Sequence, residues 1–139
     1  DNYLGAWGEK GTNTGPNAKL ETRPNYFNNV HGVGVDIQTQ EVYVNDRGNR
    51  RIQVFDKDGK FITAWGQKGS NGADKRPGYM NNVHGIAVDP QTRRVFVNDR
   101  GNHREDAGCR AEDLAGTSDH GHRHRFGSLA DGDAAGSAD

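Results

Sequence analysis

The feature that most constrains the fold of this chain is one unit written twice. Residues 23–51 and 76–104 align without a gap at an offset of 53 positions, and 20 of the 29 aligned pairs are identical. A shorter match pairs 6–11 with 64–69 at an offset of 58, so the first connecting loop is five residues longer than the second. Repeats vary their loops while their regular elements keep register. The sequence therefore predicts two copies of one structural unit.

The apolar residues within a unit alternate with a period of two, which indicates strands rather than helices. Runs rich in β-branched and aromatic residues at 33–35, 42–44, 52–55 and 61–65 are separated by turn-forming residues. The pattern predicts four short antiparallel strands joined by hairpins. Four-stranded units that recur every ~40–50 residues are typical of a β-propeller.

Composition and charge limit the classes of partner. The 139 residues carry a formal net charge of -1 and a single cysteine, Cys109. The near-neutral charge gives no reason to expect nucleic acid or a membrane surface as a partner. One cysteine cannot form an internal disulfide framework. No run of residues approaches the ~18 apolar positions of a membrane-spanning helix.

The composition changes sharply near residue 104. Residues 105–139 hold eight acidic and three basic residues, a net charge of -5, which leaves +4 on residues 1–104. Ala and Gly fill 13 of those 35 positions, so this low-complexity tail is predicted to be disordered. A shifted reading frame is the alternative, because codons for residues 105–109 can be chosen so that loss of the first base gives Arg-Met-Gln-Val. That string resembles the strand expected at this point.

The repeated strings resemble a known family. Val-His-Gly-Val-Gly-Val-Asp at 30–36 and Val-Tyr-Val-Asn-Asp-Arg-Gly-Asn at 42–49 resemble the NHL repeat, and 102–104 resembles the start of the motif that names it. The resemblance implies an all-β fragment of an NHL-type β-propeller, commonly six-bladed, over residues 1–104. We expect one complete blade, the last strand of a neighbour at 3–8, and two strands of the next blade. A third strand after residue 104 and the true N-terminus are expected to be missing.

Each copy sets a histidine and an arginine on one edge of the predicted sheet. His31 stands just before strand one and Arg47 just after strand two, and the turn between these strands centres at 38–39. A hairpin folded there brings both residues to the same edge. His84 and Arg100 repeat the arrangement with the same spacing of 16. The first strand of a blade lines the propeller channel, so such histidines ring its mouth, and imidazoles from three blades suit an open zinc site.

This arrangement resembles the peptidyl-α-hydroxyglycine α-amidating lyases, which are NHL-type propellers. The resemblance implies that His31 and His84 bind a metal and that Arg47 and Arg100 act catalytically at the substrate. Zinc is the metal it implies first, calcium the second, and it favours a secreted or periplasmic location. Val precedes each histidine where that family has Pro, and neither copy matches its catalytic tyrosine or supplies a third metal-binding blade.

A structural role is the alternative at each position. Turn residues such as Asp46 and Asp99 commonly accept backbone hydrogen bonds. The arginines can pair between blades, and the histidines can bond the neighbouring blade. The alternating histidines of 120–124 could chelate a metal, but they lie in the unusual tail.

Two functions therefore stay open. One is a binding scaffold that meets a protein, peptide or glycan at its channel mouth and loops. The other is a zinc-dependent lyase of the amidating type. Both require the remaining blades, and neither involves nucleic acid or a membrane.

Overall fold

The backbone follows the period-two pattern of the sequence and forms strands joined by tight turns. A computed structural model describes residues 2–11, 20–69 and 74–106, and only the backbone at 107–108 and 127–128. In these ranges the only helical pieces are two one-turn 3-10 helices. The all-β prediction is confirmed. None of the described segments forms a helix with the length and apolar character needed to cross a membrane.

The strands are numbered in chain order. They are β1 (Glu9–Lys10), β2 (Tyr26–Phe27), β3 (Val30–Val35), β4 (Val42–Asp46), β5 (Arg51–Phe55), β6 (Phe61–Trp65), β7 (Gln67–Lys68), β8 (Tyr79–Met80), β9 (Val83–Val88), β10 (Val95–Asp99), β11 (Arg104–Gly108) and β12 (Gly127–Ser128). Strands β3 to β6 form one four-stranded sheet and β9 to β12 a second, while β1 pairs with β2 and β7 with β8.

The first sheet is an antiparallel meander whose spatial order follows the chain. Its register places Val33 opposite Val44, and Val44 opposite Gln53. Asp36 closes the first hairpin because its carboxylate accepts the Gln38 amide at 2.9 Å. The predicted four-stranded unit is therefore confirmed in its strands and its hairpin order.

The second sheet requires a correction to the predicted boundary at residue 104. Strand β11 runs from Arg104 to Gly108 and pairs with β10 along its length, so the third strand is present. Strand β12 then pairs with β11 at two residues. Ladder hydrogen bonds join backbone groups, and these form whether or not the side chains follow the family pattern. The rest of the tail, at 109–126 and 129–139, lies outside the described residues.

The segment from Tyr3 to Gly8 also differs from its prediction as the last strand of a neighbouring blade. It forms no strand in the structure. Trp7 nevertheless packs against the first sheet, with its ring 6.0 Å from that of Phe55. The strand in this region is instead β1, which pairs in parallel with β2, just as β7 pairs with β8.

The main hydrophobic core lies between the two sheets. It combines side chains from the first sheet with residues of β8, β9 and β10; its buried members are Tyr43, Ile52, Val54, Trp65, Met80, Val83, Val95 and Val97. The first strands, β3 and β9, lie side by side because Gly32 and Gly34 leave room for Ile86. This packing of first strand against first strand, as blades pack around a propeller channel, brings the candidate site together.

Candidate functional site

Both candidate histidines occupy β-bulges. In β3 the register shifts between Val30, which faces Asp46, and Gly32, so His31 falls at the irregularity. His84 lies at the corresponding shift of β9. A bulge leaves its extra residue outside the regular ladder and re-aims the side chain. The pairing of Val30 with Asp46 also confirms that the start of β3 and the end of β4 share one edge.

The two histidines come from neighbouring sheets and lie against each other. Their ring centroids are 4.0 Å apart, with 48° between the ring planes. His31 Nδ1 lies 3.2 Å from the His84 carbonyl oxygen, a hydrogen bond in which that ring nitrogen donates. His31 is exposed and His84 is half-buried, so the pair opens toward solvent.

The electrostatic surroundings favour a neutral His84. Burial lowers the pKa of His84 below its ordinary value of 6.5, and the neighbouring His31, Arg47 and Arg100 lower it further. These groups therefore lie close enough to act on one another through space. A neutral imidazole keeps a nitrogen lone pair, which is the form that binds metals or accepts a hydrogen bond.

The two arginines of the predicted site differ in their surroundings. Arg47 Nε donates to Asn82 Oδ1 at 2.6 Å, and Arg50 donates to Asn81, so both side chains reach the second sheet. The Arg100 side chain is exposed and makes no hydrogen bond or ion pair with the described residues. Arg47 thus links two blades, whereas Arg100 stays available at the edge.

The neighbouring aspartates are structural, as expected of turn residues. Asp46 is fully buried, and its carboxylate accepts the Asn28 amide at 2.8 Å and Arg51 Nε at 2.8 Å. Asn49 and Gln53 donate to the same carboxylate. In the second sheet Asp99 accepts the Asn81 amide at 2.9 Å. These carboxylates hold the turns that present the arginines.

Neither the Asn81–Asn82 pair, which accepts hydrogen bonds from the arginines, nor the role of Gln53 was predicted from the sequence. The signal was available for the pair, since the same two asparagines occur at 28–29 in the first copy. The role of Gln53 could not be inferred by comparing the two copies, because its counterpart at position 106 is an aspartate.

The residues present fit part of a metal site. His31 and His84 offer two imidazoles from adjacent blades, and an open zinc site uses three protein ligands. The described residues contain no group of three or more His, Cys, Asp or Glu side chains that could hold a metal ion. A third ligand would therefore have to come from elsewhere. The histidines of 120–124 lie outside the described residues.

Comparison with known proteins agrees with the repeat. The family profile of the NHL repeat matches residues 27–55. The chain is 38% identical over 81 residues to peptidylglycine alpha-amidating monooxygenase of Rattus norvegicus, which covers 58% of this chain and 8% of that protein. It is 53% identical over 45 residues to NHL repeat-containing protein 3 of Homo sapiens, covering 32% of this chain and 13% of that protein. The chain thus spans a small part of the relatives it matches.

Proposed function

From the premise that this chain carries NHL repeats of a β-propeller, we propose that the complete propeller binds a protein, peptide or glycan ligand at its channel mouth. The contact of His31 with His84 carries this proposal. Two bulges aim polar rings from neighbouring blades at one solvent-facing point. Exposed Arg100 adds a cation to the same face.

The test compares the two edges of the blade in the intact protein. We expect the double variant His31→Ala with His84→Ala to weaken binding by about tenfold or more, since interface energy concentrates in a few central residues. Lys57→Ala at the opposite edge is the matched control, because Lys57 is 63% exposed. Peptide and glycan arrays would identify the ligand, and titration calorimetry would measure its affinity for each variant. Equal affinities for both variants and the unchanged protein would contradict the proposal.

A zinc-dependent lyase of the amidating type is the second candidate. It is favoured by the convergence of two imidazoles, one of them kept neutral, together with the likeness to the rat monooxygenase over 81 residues. His31 and His84 would hold the metal, which when bound would supply Lewis-acid polarisation of a substrate oxygen. Arg100 is free to attract a substrate carboxylate, whereas Arg47 orients the blade behind it. A secreted or periplasmic location belongs to this candidate.

Metal analysis of the intact protein separates the two candidates. The lyase requires about one zinc per chain, lost in the double histidine variant together with cleavage of a peptidyl-α-hydroxyglycine substrate. The same measurement would detect calcium, the alternative ion that the resemblance implies. A protein that contains no zinc and still binds its ligand would exclude the lyase and leave the scaffold.

A further inference from the structure

The segment that leads into the first sheet carries an arginine held in one fixed position. Arg23 Nε and Nη2 donate to the two carboxylate oxygens of Glu21 at 2.9 and 2.8 Å. The guanidinium also lies over the ring of Tyr26, 3.8 Å from its centroid. A two-point ion pair and a stacked ring leave the side chain little rotational freedom. The arginine is therefore oriented before any ligand arrives.

The segment that leads into the second sheet repeats this arrangement. Arg76 Nε and Nη2 donate to Asp74 at 3.0 and 2.7 Å, and the guanidinium lies 3.8 Å from the centroid of the Tyr79 ring. The acid is one methylene shorter than in the first copy, yet the guanidinium keeps the same place over its tyrosine. We call each of these pairs, Arg23 on Tyr26 and Arg76 on Tyr79, an arginine platform.

Each arginine platform has an open end. The Glu21 and Asp74 side chains are 6% and 2% exposed, whereas those of Arg23 and Arg76 are 49% and 58% exposed. Within the part of the chain that the structure describes, Nη1 of neither arginine makes a hydrogen bond. A guanidinium presents five N–H groups in one plane, so the Nη1 end can bind a second carboxylate. The internal ion pair thus orients the arginine without occupying all its donors.

Both platforms lie on the channel-mouth edge, which is the sheet edge that carries His31 and His84. The connectors and turns of this edge are residues 9–11, 20–29, 46–50, 67–69, 74–82 and 99–103. Of the five acids in these segments, four are buried and only Glu9 is exposed. Their exposed cations are Lys10, Arg23, Lys68, Lys75, Arg76 and Arg100. The surface that a ligand meets at this edge is therefore positive.

The overall charge limits the kind of anion that fits. Among the described residues, the turns of the opposite edge at 36–41, 56–60 and 89–94 hold five acids and four cations, so the positive surface is confined to the channel-mouth edge. Long polyanions are held by a strongly basic protein surface, and a chain with a net charge of -1 does not supply one. A peptide with a few carboxylates, each bound by one planar guanidinium, matches six exposed cations better.

We propose that the two arginine platforms bind carboxylate side chains of an acidic peptide segment at the channel-mouth edge. This proposal deepens the function proposed above and rests on it for the place of the ligand. Each platform donates two hydrogen bonds to one Asp or Glu side chain of the ligand, while Lys68 and Lys75 of the second connector add attraction at longer range. An amide of the same shape offers one acceptor oxygen and no charge, so it binds less well.

Fluorescence polarisation of the intact protein with two labelled peptides of about ten residues tests the proposal. One peptide alternates Glu with Gly and the other Gln with Gly, and both have blocked ends so that only side chains carry charge. We expect the Glu peptide to bind about tenfold more tightly in about 50 mM salt, and this preference to shrink several-fold in about 300 mM salt. A short heparin oligosaccharide is the polyanion probe and should bind more weakly than the Glu peptide.

The double variant Arg23→Lys with Arg76→Lys isolates the guanidinium, because it keeps both charges and removes the planar end. We expect about tenfold weaker binding of the Glu peptide and little change for the Gln peptide. Arg94→Lys is the matched control, since Arg94 is exposed on the opposite edge. If circular dichroism shows that the double variant does not fold, Lys75→Glu decides. It should weaken the Glu peptide several-fold, whereas Lys57→Glu on the opposite edge should not.

Equal binding of the two peptides, no binding of either, or tighter binding of the heparin oligosaccharide would overturn the proposal. Unchanged affinity for the Glu peptide in the folded double arginine variant would overturn it as well. Failure of the channel-mouth function gives a different result. A ligand that is lost in the double variant His31→Ala with His84→Ala but kept in the double arginine variant would support the histidine contact and exclude the platforms. The reverse pattern would support the platforms and contradict the role of the histidines.

Discussion

Replacing Asp106 by glutamine should stabilise the second sheet and remove a pH dependence. In the first sheet the Gln53 amide donates to Asp46 Oδ2 at 3.1 Å and to the Tyr26 carbonyl oxygen at 3.0 Å. The offset of 53 places Asp106 at the same position of the second sheet. Where the first sheet has the Gln53 amide, which donates two hydrogen bonds, the second sheet therefore has the Asp106 carboxylate. A second buried acid, Asp99, lies beside it.

The surroundings of Asp106 oppose its ionised form. The side chain is fully buried, and its Oδ1 atom has no hydrogen-bond partner among the described residues. Oδ2 accepts Arg104 Nε at 3.0 Å. Burial raises the pKa of Asp106 from 3.8 to about 6, Arg104 opposes that rise, and Asp99 and Glu105 add to it. When protonated, the carboxyl can donate a hydrogen bond, as the Gln53 amide does.

The sign and size of the effect of pH on stability follow from proton linkage. Because the pKa of Asp106 is higher in the folded chain, the folded state binds the proton more tightly and loses stability as pH rises from about 4 to about 6. The rise from 3.8 to about 6 corresponds to about 3 kcal/mol. Within the part of the chain that the structure describes, only the two residues of β12 pair with the outer side of β11. Solvent screening at this edge reduces the expected cost to ~1.5 kcal/mol.

Urea unfolding at pH 4 and pH 7.5, followed by tryptophan fluorescence, measures this cost. We expect Asp106→Gln to be about 1.5 kcal/mol more stable than the unchanged chain at pH 7.5, and nearly equal to it at pH 4. Asp58→Asn is the matched control, since the Asp58 side chain is 76% exposed in a turn of the first sheet and should change little. If the difference in stability between Asp106→Gln and the unchanged chain were the same at both pH values, the role given to Asp106 would be refuted.

Two further substitutions test the packing of turns and blades. Gly48→Ala should cost more than about 2 kcal/mol, since its Cβ would lie 2.6 Å from the Asn28 carbonyl oxygen, whereas Gly85→Ala, with 3.7 Å to its nearest neighbour, should cost under about 0.5 kcal/mol. Equal melting temperatures for the pair would contradict this close approach. Arg93→Ala should cost about 2 kcal/mol by urea unfolding, because it leaves the buried Asp36 carboxylate without its cation. Burial acts to raise the pKa of Asp36, but hydrogen bonds from Arg93 and the Gln38 amide outweigh burial and lower the pKa. The stability that the Arg93–Asp36 pair contributes should therefore disappear as pH falls below about 4. A cost of Arg93→Ala that persists in acid would contradict this role of the pair.

The strands of the first sheet were predictable because side-chain alternation and turn chemistry act locally. Val33 and Val35 mark a strand by their spacing, and Asp36 marks its end by an Asx turn that the structure contains. The shared edge of His31 and Arg47 followed from hairpin geometry alone. The contact between His31 and His84 did not, because it depends on how two sheets pack.

Strand β11 escaped prediction for the opposite reason. Its sequence, Arg-Glu-Asp-Ala-Gly, lacks the β-branched residues from which strands are inferred. The edge of β10 supplies a row of backbone donors and acceptors, and pairing with it needs no particular side chains. The bulges at both histidines were equally hidden, since a bulge is a mismatch between two strands and neither strand encodes it alone.

The two arginines show why a repeat must be interpreted together with its neighbours. Arg47 and Arg100 occupy identical turns, each opened by a buried aspartate and each followed by a Gly-Asn pair. Arg47 meets Asn82 because another blade follows it, and its guanidinium is engaged in holding that blade. Arg100 faces solvent because no described blade follows it. A guanidinium in this turn is therefore available to a ligand only where the next blade does not present an asparagine that accepts its hydrogen bond. Substitution of that asparagine, as in Asn82→Ala, would release the Arg47 side chain at the channel mouth without altering its turn.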